Sequence, residues 1–167
     1  MKIRILFVCL GNICRSPAAE GILKAMVEEK GLQDDFYIDS AGIGNWHVGD
    51  LPDRRMRHHG MLHGYDFASR ARQVCSADFE RFDLIIVMDD DNYYDIKRFA
   101  TMPGDMDKVH LIHEYFIRYK GRQYVPDPYY GDDSDFELAI NLLEDACQGI
   151  ILNFTARGNE MLTTKSE

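Results

Sequence analysis

Ile3-Arg4-Ile5-Leu6-Phe7-Val8-Cys9-Leu10-Gly11-Asn12-Ile13-Cys14-Arg15-Ser16-Pro17 begins as an apolar run, crosses a short loop and enters a helical pattern. The run Ile3–Cys9 is rich in branched and aromatic residues and reads as a buried strand. Beyond the loop, Ser16 is placed to cap a helix and Pro17 suits its first turn. Ile22, Leu23, Met26 and Val27 form its apolar face, and Gly31 ends it. Three further apolar runs, 36–40, 84–88 and 109–112, read as strands that alternate with segments of helical period. Residues 53–64 and 89–100 are two such segments. The last helix is marked by Ser134 and Glu137 at capping-box spacing, then by Phe136, Ile140, Leu143, Cys147, Ile150, Ile151 and Phe154. Strands alternating with helices imply one α/β domain, a parallel sheet covered on both faces, spanning 1–155. The polar tail, 156–167, is expected to fray.

In such sheets ligands bind beyond the carboxyl ends of the strands, which directs attention to residues 9–17. A cysteine ends the strand, five residues follow, and an arginine stands where the helix begins. Gly11 and Asn12 tolerate positive φ, so the loop can curl its N–H groups inward, and the helix N-terminus adds partial positive charge. Such a cradle holds a tetrahedral oxyanion. The same donors favour the Cys9 thiolate, while Arg15 can grip two phosphate oxygens in a fork that lysine cannot copy. A nucleophile inside an anion cradle suits phosphoryl transfer through a covalent intermediate. Taken alone, a cysteine at the end of a buried strand is more often a packed apolar residue, and it is the strand–loop–helix context that favours the functional reading. A nucleotide-binding P-loop needs G-x4-G-K-[ST]; this loop has one glycine and no lysine. Hydrolysis of an aryl phosphate also needs a proton for the leaving oxygen. The stretch from Val125 to Phe136 places Asp127 between Pro126 and Pro128, beside Tyr129 and Tyr130. Asp132, Asp133 and Asp135 read as helix-start charges.

The 167 residues carry a net charge of -9, which argues against a general nucleic-acid binder or a membrane-surface protein. Arg54, Arg55, Arg57 and Arg70 are candidates for a local positive field. Cysteines 9, 14, 75 and 147 show no C-x2-C spacing of a zinc or redox motif. His58, His59 and His63 lack a supporting ligand pattern and read as helix-surface or loop residues. The amino-terminal apolar run is too short for a signal peptide, and no stretch approaches the ~18 apolar residues of a membrane span. A cytoplasmic setting with reduced thiols and no membrane insertion is the expectation.

Residues 8–17 together with Asp127-Pro128-Tyr129-Tyr130-Gly131 closely resemble the low-molecular-weight protein tyrosine phosphatases. Asp39-Ser40-Ala41, Ala71-Arg72-Gln73 and the segment 88–92 agree as well. The resemblance spans residues 3 to 155 in the right order. It implies a flavodoxin-like four-stranded parallel sheet, no cofactor and no metal. It implies Cys9 as nucleophile, Arg15 as phosphate ligand and transition-state stabiliser, and Asp127 as acid and then base. The amides of Leu10, Gly11, Asn12, Ile13, Cys14 and Arg15 would form the cradle. Ser16 would hydrogen-bond the thiolate, and Asn12, held by Ser40, would keep the loop shaped. Trp46, Tyr129 and Tyr130 would wall a slot deep enough for phosphotyrosine and too deep for phosphoserine. Cys14 is a candidate redox partner of Cys9. The implied partner is a tyrosine-phosphorylated protein, with a cognate tyrosine kinase where bacterial relatives act in polysaccharide export.

One departure is Ser69, where many relatives carry a histidine near the Asn12 network. Arsenate reductases of this fold relay a disulfide through further cysteines and lack the Asp-Pro-Tyr-Tyr segment. Protein-arginine phosphatases usually carry threonine where Ile13 stands. A non-catalytic phosphate-binding module would need neither Cys9 nor Asp127.

Overall fold

The computed structural model describes residues 2–163, with side chains through 155. Four strands, β1 (Ile3–Cys9), β2 (Phe36–Gly42), β3 (Leu84–Val87) and β4 (Val109–Leu111), form one all-parallel sheet in the order β2-β1-β3-β4. Strand residues alternate between two apolar layers. Ile5, Phe7 and Cys9 face one, and Leu6 and Val8 face the other. Period-two alternation therefore buries both faces of β1, which explains why its sequence is apolar throughout.

The first layer packs under α1 (Arg15–Glu29), α2 (Arg54–Leu62) and the long α5 (Asp133–Thr163), with Phe136, Ile140, Leu143, Cys147 and Ile150 fully buried. The second lies against α3 (Asp78–Arg81), α4 (Asp90–Ile96) and their flanking turns. From β1 the chain crosses to β2 on one side, then passes back over β1 to β3 on the other. The carboxyl end of β1 is thus the switch point where the two crossovers diverge and a crevice must open.

Several local expectations change. Ser16 does not cap α1: the helix starts at Arg15 and has no side-chain cap, because the Ser16 hydroxyl is engaged inside the site. Gly31, at φ 70, ends it as expected. The strand expected over 36–40 runs on to Gly42, and those over 84–88 and 109–112 each end one residue early. The segments expected over 53–64 and 89–100 contract to α2 and α4, capped by the Asp53 and Asp89 side chains. Ser134 and Glu137 form no capping box. Asp132 takes that role, accepting from the Ser134 and Asp135 amides at 3.0 and 3.3 Å, while Glu137 turns toward α2. The α5 backbone continues to Thr163, through most of the segment expected as a tail; the side chains from 156 and the last four residues lie outside the described set. No helix among the described residues is long and apolar enough to cross a membrane.

Candidate active site

At the switch point a cleft of about 300 Å³ opens, lined by Cys9, the loop that follows it, Arg15, Trp46, Asp127, Tyr129 and Tyr130. The loop's carbonyls are tied away from it: Cys9 to the Ile43 amide, Leu10 to Gly44, Ile13 to Asp53 and Cys14 to Ala18. The amides of Leu10 through Cys14 donate to no protein acceptor among the described residues. Asn12, at φ 57, supplies the left-handed residue that lets the loop curl. Gly42 lets it approach β2, since a Cβ there would stand 3.0–3.1 Å from Gly11 and Asn12. Adjacent unpaired amides at the start of a helix are what an oxyanion requires.

Cys9 is buried on the floor of the cleft, its sulfur 3.0 Å from Ser16 Oγ. Asn12 Nδ2 donates to Ser16 Oγ at 2.7 Å and to Ser40 Oγ at 3.0 Å, and the Arg72 amide donates to Asn12 Oδ1 at 3.0 Å. Ser40 donates to Glu20 Oε1 at 2.7 Å, and Lys24 reaches Glu20 Oε2 at 2.7 Å. The Ser16 hydroxyl also lies 3.4 Å from the Ala41 carbonyl. With its oxygen receiving an Asn12 N–H, Ser16 can turn its own proton to the sulfur at 3.0 Å or to that carbonyl, and the sulfur is the nearer. Glu20 is a buried carboxylate that pattern reading missed; its i, i+4 spacing to Lys24 was the available signal. Ser69 borders the same surface groove as Glu20 and Lys24, and the Glu20 charge is paired with Lys24.

Arg15 is buried and aimed by the end of β3. Its Nη1 donates to Asp89 Oδ2 at 2.6 Å and to the Val125 carbonyl at 3.1 Å. Its Nη2 lies 3.6 Å from Asp127 Oδ2. Burial opposes its charge, but Cys9, Asp89 and Asp127 outweigh that and raise its pKa. Asp89 is the second residue that sequence reasoning left without a role. Asp127, 40% exposed, accepts the Tyr129 amide at 3.1 Å on Oδ1. Burial, followed by Asp53 and Cys9, pushes the Cys14 thiol well above its ordinary pKa, so it stays protonated. Trp46 stands at the mouth, two-thirds exposed. Tyr129 lines the wall, whereas Tyr130, 94% exposed, forms the rim and packs edge-on against Tyr129 at 4.8 Å.

Of the arginines expected to supply a positive field, none lines the cleft; Arg15 alone does so. Arg55 is paired with Asp53 at 3.0 Å, and Arg57 and Arg70 donate to carbonyls. His59 is not a surface residue. It is buried against Phe136, between Glu137 at 2.6 Å and Asp133 at 3.1 Å. Among the described residues no cluster of His, Cys, Asp or Glu is arranged to hold a metal.

A family model described as low molecular weight phosphotyrosine protein phosphatase matches residues 4–161. The chain belongs to that family. A Synechocystis relative is 46% identical over 159 residues, covering 95% of this chain and 99% of its own. The crystal structure of a protein tyrosine phosphatase from Entamoeba histolytica superposes with a TM-score of 0.89 at 39% identity, covering 94% of this chain and 99% of that one. A drosophila arginine phosphatase superposes with a TM-score of 0.83 at 34% identity, covering 92% and 98%. As a low molecular weight phosphotyrosine protein phosphatase, the chain is a phosphoric monoester hydrolase acting on phosphoprotein.

Proposed function

We propose that this phosphatase hydrolyses phosphotyrosine through a phosphocysteine on Cys9. The observation that carries the reading is the convergence of Cys9, Arg15 and Asp127 on one cleft floored by unpartnered amides. The Cys9 thiolate attacks phosphorus while the amides of Leu10 to Arg15 and the free edge of the Arg15 guanidinium hold the equatorial oxygens. The phosphorus–oxygen bond to tyrosine breaks, and Asp127, in its acid form, gives its proton to the leaving oxygen. The Asp127 carboxylate then takes a proton from water as that water displaces the sulfur, releasing phosphate and restoring the thiolate. Ser16 donates to sulfur, and Ser40 with Asn12 keeps the loop in shape. No metal or cofactor takes part in this scheme.

Trp46, Tyr129 and Tyr130 flank an aromatic ring, and Ile13 presents an apolar side chain to it, which favours phosphotyrosine over phosphoarginine. The structural likeness to an arginine phosphatase supports the second reading. A side-by-side comparison of phosphotyrosine and phosphoarginine hydrolysis separates them. The scheme itself is tested with p-nitrophenyl phosphate in EDTA. Turnover persists, Cys9→Ser abolishes it while phosphate still binds, and acid quenching traps phosphate on Cys9. Turnover by Cys9→Ser at the wild-type rate refutes it.

The substrate is a tyrosine-phosphorylated protein in a reducing cytoplasm, with a cognate tyrosine kinase as its opposite number. Substrate trapping with Cys9→Ser or Asp127→Ala identifies it. Under peroxide, a Cys9 sulfenic acid condenses with the Cys14 thiol, losing water and forming a disulfide that reductant reopens. Sulfinic Cys9 without a crosslink in peptide maps would count against that role for Cys14.

A further inference from the structure

We infer that Arg55 is a positioning residue that sets the Asp127 carboxyl against the phosphate cradle; the inference rests on the acid role proposed for Asp127. Among the described residues, hydrogen bonds from outside the 125–131 loop reach it only at Val125 and Tyr129, on either side of Asp127, whose Oδ2 also lies 3.6 Å from Arg15 Nη2. On one side the Arg15 guanidinium holds the Val125 carbonyl, whose residue also donates to the Met88 carbonyl at 3.0 Å. On the other, Arg55 Nη2 donates to the Tyr129 carbonyl at 2.9 Å. Tyr129 in turn aims the catalytic carboxyl, because its amide is the donor to Asp127 Oδ1.

Arg55 is itself held in register with the cradle. Its Nε and Nη2 grip Asp53 at 3.2 and 3.0 Å, and the Asp53 amide donates to the Ile13 carbonyl at 2.7 Å. The guanidinium is also stacked, 4.7 Å from the Phe136 ring and 5.5 Å from that of Tyr129. A continuous path thus joins Ile13 in the cradle through Asp53, Arg55 and Tyr129 to Asp127. The planar fork is what allows one side chain to bind a carboxylate, a carbonyl and a ring face together; an ammonium cannot do all three. The loop carries the most exposed aromatic at the site, Tyr130, and without Arg55 its remaining outside contacts would be those that Arg15 and Met88 make at Val125 and Asp127.

Misplacing a general acid penalises substrates in proportion to their need for protonation. In Arg55→Ala, kcat/KM for phenyl phosphate, a poor leaving group, should fall roughly ten-fold more than that for p-nitrophenyl phosphate. In an Asp127→Ala background the same change should cost phenyl phosphate less than about two-fold, because the group being positioned is gone. Arg55→Lys should recover only part of the ratio, and it serves as the test variant should Arg55→Ala fail to fold. Equal losses on both substrates, whatever the change in Tm, would overturn the assignment. If Asp127→Ala also leaves the ratio of the two substrates unchanged, the proposed acid role fails and takes this inference with it. A ratio shifted by Asp127→Ala but untouched by Arg55→Ala overturns Arg55 alone.

Discussion

Asp89 performs two tasks with two separate oxygens, so its replacements separate them. Oδ2 holds Arg15 Nη1 at 2.6 Å and Oδ1 caps α4 through the Asn92 amide at 2.8 Å. In Asp89→Ala both bonds go. Losing the cap costs about 1 kcal/mol, and losing a charge-assisted bond to a buried guanidinium costs about 1.5–3 kcal/mol. The sum is about 2.5–4 kcal/mol, and at ~2–4 °C per kcal/mol for a chain of this size Tm should drop by roughly 5–16 °C. Asp89→Asn has one acceptor oxygen for two donors. If it caps α4, its amide nitrogen faces Arg15; if it turns to Arg15, the cap is lost. Its cost should therefore fall between wild type and Asp89→Ala, at about 2–3 kcal/mol. Both variants should lose kcat/KM by roughly ten-fold or more, since the guanidinium is no longer aimed. Thermal melts and aryl phosphate kinetics on the three proteins give the answer. An Asp89→Ala protein that melts within about 1 °C of wild type and keeps its kcat/KM would refute the view that Asp89 anchors Arg15.

His59 should make stability fall with rising pH. Burial disfavours its charge, but Glu137 and then Asp133 outweigh that and raise its pKa above the ordinary value. Its contribution is full below about pH 6.5 and is lost as pH climbs through the higher folded value. Urea midpoints measured across that window should therefore converge for wild type and Glu137→Gln; midpoints that diverge would contradict the pairing. Gly149→Ala should cost about 2 kcal/mol or more, because a Cβ on α5 would strike the Tyr115 carbonyl; a neutral effect on Tm would be inconsistent with that contact. Glu20→Gln should cost about 1 kcal/mol and lower kcat/KM several-fold, because Ser40 and Lys24 lose a charged acceptor; unchanged kinetics would detach the Glu20 chain from Cys9.

The strands were legible because burial on both faces of a parallel sheet forces uninterrupted apolar runs, as in Ile3–Cys9. The cradle was legible because its parts are contiguous in sequence. What escaped was whatever depends on long-range pairing. Asp89 and Glu20 read as ordinary acidic residues until β3 and α1 bring them to Arg15 and Ser40. His59 reads as a surface residue until α5 closes over it. Ser16 has the right type for a cap and sits at a helix start, yet the sulfur 3.0 Å away claims its hydroxyl. Ser134 lost the capping role to Asp132 two positions earlier, a choice between neighbouring acceptors that spacing does not rank.

Cys9 closes the first strand, whereas Asp127 waits until just before the last helix. On a ribosome, which delivers the chain from its amino terminus, Cys9 therefore emerges long before the carboxyl proposed as its acid. In the proposed scheme, a chain that ends before residue 127 lacks the acid, and with it α5, whose Phe136, Ile140 and Leu143 fill the apolar layer that Cys9 joins.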